Sequence, residues 1–279
     1  MPIHDQGYRR YGGRRRAHGQ TWWVIARAGL IERLRERKFL ALLLVAWLPF
    51  LVGAVTLYGA ANFAQASFLA PTADTFRAFL DQQSIFVFFI TIFVGAGLIA
   101  NDRRANALQI YLSRPLTRVE YVTGKLVTLI IFLFGVTWLP AILLLLLQVL
   151  FSGNFTFLRA NLFLLPAITV FSVLQVLLSA FAMLALSSLS KSRRFVSMMY
   201  AGIIFFTSAM YQALRGITGS RSWAWISPED VLDVAAAGIF RSQEAPPIPV
   251  PAALLVVVVL IAASIWILER RVRGVEVIT

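Results

Sequence analysis

Six runs of this chain contain no Asp, Glu, Lys, Arg or His: residues 39–58, 84–100, 126–152, 161–190, 195–214 and 250–268. A helix needs about 20 apolar residues to cross roughly 30 Å of hydrocarbon, and each run is near or above that length. The third and fourth are longer than required and are expected to tilt or protrude. A soluble fold can bury one such run, but not six. Composition agrees, with 59% hydrophobic and 14% charged residues and a mean hydropathy of +0.76, too apolar for an ordinary soluble domain. The expectation is an all-α integral membrane protein with six transmembrane helices.

Six spans put both termini on one side, and the basic residues say which. All but five of the 26 Lys and Arg residues fall in 1–38, 101–125, 191–194 and 269–279. The exceptions are Arg77, Arg159, Arg215, Arg221 and Arg241, while acidic residues divide almost evenly. Basic residues concentrate in cytoplasmic segments, so both termini are expected in the cytoplasm of a multi-pass cell (plasma) membrane protein. The net charge of +13 then reads as orientation and contact with anionic lipid heads, with no nucleic-acid partner. The first apolar run starts too late and runs too long for a cleaved signal peptide.

The chain divides into a disordered basic tail (1–20), an interfacial amphipathic helix (21–38), a six-span domain (39–268) and a short tail (269–279). In the interfacial helix Trp23, Leu30 and Leu34 share one stripe, with Arg33, Glu36 and Arg37 away from it. Between the second and third runs, Asn101 or Asp102 can cap a short cytoplasmic helix whose Ala105, Leu108 and Leu112 share a face. Pro115 ends that helix near Ser113. Thr117 and Glu120 form a T-x-x-E capping box for a helix that runs on into the third span. A push on the short helix would therefore reach the third span directly. Before the last run, Ser227-Pro228-Glu229-Asp230 starts a short helix expected to lie on or dip into the outer leaflet. Pro49, Pro140 and Pro166 are expected to kink spans.

Catalytic chemistry has little to work with. The chain has no cysteine, and its two histidines, His4 and His18, sit in the N-terminal tail. No metal site can be built from them within the membrane. Gly124-Lys125 is preceded by Val119 where a phosphate loop needs its first glycine, so there is no ATPase motif. The chain is expected not to be an enzyme. Uncharged spans also argue against an ion-coupled carrier. Among their mild polar residues, Gln175, Gln148 and Thr91 are the candidates for a substrate path.

The pattern Asp102-Arg103, Ser113-Arg114-Pro115 with Arg118, then Tyr121 and Gly124-Lys125 resembles permease subunits of the type-2 ABC transporters. The tail 269–277 is similar to that family's ending, and the order of elements fits nearly the whole chain; the Arg-rich head at 1–20 is a departure. The resemblance implies a half-transporter. A second permease subunit, identical or different, would complete the pore, and two copies of a cytoplasmic ABC ATPase would bind below it. ATP and magnesium would be held by that ATPase, leaving no cofactor in this chain. Asp102, Arg103, Arg104, Leu108, Arg114 and Arg118 would contact or couple to it, and the transport would be export. The rivals are an ATP-independent secondary transporter or channel, and a scaffold that tethers a cytoplasmic partner.

Overall fold

A computed structural model describes residues 21–63, 71–106, 117–153, 156–242 and 246–272. Every regular element among these residues is helical. Six helices are long and apolar enough to cross a membrane: Arg37–Asn62, Ala73–Arg104, Arg118–Ser152, Leu164–Leu189, Arg193–Thr218 and Val250–Arg271. Numbered in chain order, they are spans one to six.

The uncharged runs are the middles of longer helices. Span two begins at Ala73 rather than at residue 84, where Thr75 Oγ1 accepts from the Thr72 N–H at 3.0 Å. The added stretch carries Asp74, Arg77 and Asp81. Two of these charges have partners: Arg77 donates to Ser242 Oγ at 2.8 Å and pairs with Asp233 at 2.7 Å, and Ser242 Oγ donates to Asp74 Oδ1 at 3.0 Å. Span three begins at Arg118 behind the expected capping box. Thr117 Oγ1 accepts from the Glu120 N–H at 3.2 Å, and Glu120 Oε2 accepts from the Thr117 N–H at 3.0 Å.

Proline and glycine interrupt the spans in different ways. Span one breaks at Trp47, just before Pro49, and Gln83 of span two donates to the Ala46 carbonyl at 3.2 Å. Span three breaks at Thr137, before Pro140. Pro166 makes no kink, because span four starts at Leu164 and a first-turn proline has no intrahelical N–H bond to lose. Span two contains a π-helical turn, Thr91–Gly95, which the sequence does not signal, and regains helix at Ala100–Arg104. Ser187 of span four mends the interruption. Its hydroxyl accepts from the Ile99 and Ala100 N–H groups at 3.1 and 3.0 Å and donates to the Ala96 carbonyl at 3.0 Å. Backbone groups inside a bilayer must be satisfied by protein, and here one serine serves three of them.

Spans two, three and four carry most of the buried side chains, in two clusters. One holds Phe39, Leu129, Leu133 and Met183; the other holds Phe76, Leu80, Ile168 and Val257. Spans one, five and six are mostly exposed, with Leu44, Val55, Phe206 and Leu255 pointing outward. Lipid tails are as apolar as these side chains, so close packing and polar bonds hold such a bundle together.

The N-terminal helix, Thr21–Leu34, is shorter than the expected 21–38 and departs from the expected exposed charged face at one residue. Arg33 is buried at 5% exposure, whereas Trp23 and Leu34 are each 44% exposed. The helix docks on span three at small residues, with Ile25 and Leu30 packed against the core. Thr128 Oγ1 approaches the Ala26 carbonyl at 3.4 Å, and a Cβ on Gly124 would lie 2.8 Å from both Ile25 and the Trp22 carbonyl. In its buried position Arg33 makes an ion pair with Glu36. The short helix before span six, Pro228–Ile239, is capped by Ser227 as expected. It does not simply lie on a surface: Val231, Val234 and Ala235 are buried against the spans.

Candidate functional site

The residues expected to meet a partner separate into two groups. Asp102 does not cap a helix. Its Oδ2 accepts from the Tyr121 hydroxyl at 2.7 Å and pairs with Lys125 Nζ at 2.8 Å. Tyr121 and Lys125 are one turn apart on span three, so both reach the same carboxylate. The ion pair is largely shielded, with the Asp102 and Lys125 side chains 17% and 18% exposed. Arg103 Nη1 donates to the Ser188 carbonyl at the end of span four. The end of span two is thus bolted to span three by Asp102 and to span four by Arg103. Arg193 of span five adds a further tie, donating to the Phe93 carbonyl at 2.7 Å with its guanidinium 5.4 Å from the Phe93 ring.

Arg104 and Arg118, by contrast, are exposed on either side of the intervening segment. Leu108 and Arg114 lie outside the described residues, as does most of the short helix expected there. Its described start differs from the expectation: the helix ends at Arg104, and Asn106 adopts a left-handed φ of 52°. A chain turn therefore stands in place of the expected unbroken face through Ala105, and asparagine is one of the few residues suited to it.

A cavity of about 350 Å³ opens between spans two, four, five and six and the Pro228–Ile239 helix. Span four lines it from Phe171 to Leu186, a rise of roughly 22 Å at 1.5 Å per residue. Gln175 lines this cavity, whereas Gln148 and Thr91 do not. Thr91 is fully buried in the π-helical turn, and Gln148 is buried in span three.

The charged mouth of the cavity is absent from the residues singled out in the sequence. Arg77, Asp81, Ser84 and Phe88 all line it. Their spacings of four, three and four residues put them on one helical face, the signal that could have found them. Glu229 and Asp233 face them from the short helix. Partial burial, reinforced by the neighbouring Asp230 charge, holds the Glu229 carboxyl above its usual range against the Ser208 hydroxyl that favours its charged form. Burial likewise raises the Asp230 carboxyl, opposed by its bond to Ser227.

The described residues thus form a six-span helical bundle with a cavity that opens at a charged mouth and a braced end to spans two, three and four. The chain belongs to the ABC-2 family transporter proteins, whose profile matches residues 23–271. It is therefore the permease component of an ABC transporter, a class that works with an ATPase partner. No curated protein matches the chain.

Proposed function

We propose that this chain is the membrane-spanning permease subunit of an ATP-driven exporter in the cell membrane, with both termini cytoplasmic. Two copies, or one copy and a related subunit, enclose the path, and two separate ATPase subunits dock at the end that carries residues 101–125. The observation that carries this reading is the bracing of Asp102 and Arg103 onto spans three and four. A displacement of the segment between spans two and three would pass through these bonds into two spans at once. Span four lines the cavity, so the same movement would reach the transported molecule. Arg104 and Arg118, exposed beside that segment, are the residues suited to meet an acidic surface of the ATPase.

Arg104→Glu with Arg118→Glu is expected to abolish co-purification of the ATPase in mild detergent while the chain still inserts and elutes as a single species. Quantitative mass spectrometry of material purified from the native host measures this. Undiminished ATPase recovery from the double variant would remove these arginines from the interface. A stand-alone carrier would instead move substrate in liposomes without ATP, and a scaffold would bind its partner with no ATP-dependent change in the cavity.

A further inference from the structure

We propose that the cavity binds amphipathic organic cations, with Asp81 and Glu229 at its mouth holding the positive group. The assignment rests on the permease reading and adds the chemical class of what is carried.

Charge comes first. Among the described residues lining the cavity, Arg77 is the sole Lys or Arg, against the carboxylates Asp81, Glu229 and Asp233. Arg77 is already paired with Asp233 at 2.7 Å. Asp81 makes no salt bridge among the described residues, and Glu229 has only the Ser208 hydroxyl at 3.5 Å. The mouth therefore carries excess negative charge facing the cavity. The carboxylates are spread along the rim, and no three His, Cys, Asp or Glu among the described residues are grouped to hold a metal ion. Such a rim suits a bulky cation better than a bare ion.

The depth of the cavity supplies an independent observation. Gln175 is 4% exposed, lines the cavity, and leaves its Oε1 without a hydrogen-bond partner among the described residues. A buried acceptor left unmade is costly, and what it lacks is a donor. An amine or ammonium N–H supplies one. Phe88 and Tyr200 stack with centroids 5.8 Å apart and line the same space, offering ring faces that attract cations. Phe88 lies two helical turns from Asp81, about 10 Å along span two. A molecule with its positive group at the mouth and an aromatic body beside Phe88 would span that distance. The volume is in the range that holds drug-sized ligands.

The test uses the full chain in phosphatidylcholine nanodiscs without ATPase, with empty nanodiscs as background. Ethidium serves as an aromatic cation bearing amino N–H groups, and 8-anilinonaphthalene-1-sulfonate as an apolar anion. Saturable ethidium binding is expected, weakened about tenfold or more by Asp81→Asn with Glu229→Gln and severalfold by Gln175→Leu. The charge-conserving Asp81→Glu is expected to bind within about twofold of the parent, which guards against a folding artefact. Equal ethidium affinity in the double variant, competition by the anion as strong as by the cation, or a loss in Asp81→Glu matching that of Asp81→Asn would each overturn the assignment. Failure here removes the cation site and leaves the permease reading standing. Failure of the ATPase to co-purify counts against ATP-driven export and leaves the binding result as measured.

Discussion

Asp102→Ala will strand Lys125 and remove a hydrogen bond of the Tyr121 hydroxyl at the end of span three, and the purified chain will melt at a clearly lower temperature. A partner removed from a shielded ion pair leaves the remaining charge uncompensated. For a pair whose side chains are 17% and 18% exposed, the loss is about 2–4 kcal/mol. The double variant Asp102→Ala with Lys125→Met removes both charges and is expected to recover most of that loss. The functional effect follows from the same bonds. With span two unbolted from span three, the ATPase should still bind through Arg104 and Arg118, while its hydrolysis no longer drives transport. Thermal melts of the single and double variants, with ATPase and transport rates in proteoliposomes, check both parts. A double variant as unstable as the single one would show that the pair does not act as a lock.

Gly124→Val is the second change expected to have a large effect. A Cβ at residue 124 would fall 2.8 Å from the Trp22 carbonyl and from Ile25 Cβ. The first of these is backbone, so no rotamer change relieves the clash, and the N-terminal helix must lift from span three. Gly29, on that helix, meets Thr128 just as closely, at 2.9 Å. Overpacking of this kind costs about 1–3 kcal/mol or more. Arg33, buried at 5% exposure in the parent, should become a site of rapid tryptic cleavage in the variant. Gly135 lies on the same span, and a Cβ there would meet nothing within 4 Å, so Gly135→Val is expected to leave the cleavage pattern unchanged. Cleavage at Arg33 that is equally slow in Gly124→Val would show that the close approach is dispensable.

Much of this architecture is legible in the sequence, for reasons that differ by element. Spans are read from composition, because the bilayer demands length and apolarity before anything else. Helix starts at Thr117 and Ser227 are read from local capping chemistry, which needs only four residues. The start of span two is not, because a search for uncharged runs stops at Asp81, while Arg77 finds its partner Asp233 far along the chain. For the N-terminal helix, the stripe of Trp23 and Leu34 is legible as an exposed face, but the burial of Arg33 is not. The close approach at Gly29 and Gly124, which sets how that helix meets span three, has no signature in a single segment. Asp102 is legible as important but not in its role, since its partners Tyr121 and Lys125 meet it only when spans two and three pack. Gln175 stands out because a buried amide in an uncharged span is conspicuous. Glu229 at the mouth comes from a segment that reads as an ordinary helix start.

The central claim is that ATP use by a partner moves the spans that line the cavity. The chain contains no cysteine, so a single Ala182→Cys on the cavity wall of span four reports its accessibility without background. The decisive measurement is maleimide labelling of this cysteine in native membranes, with and without ATP trapped by a hydrolysis block. The account predicts a labelling rate that changes on ATP trapping and stops changing when Asp102→Ala is added. A rate indifferent to ATP, with the ATPase bound to the chain, would contradict it.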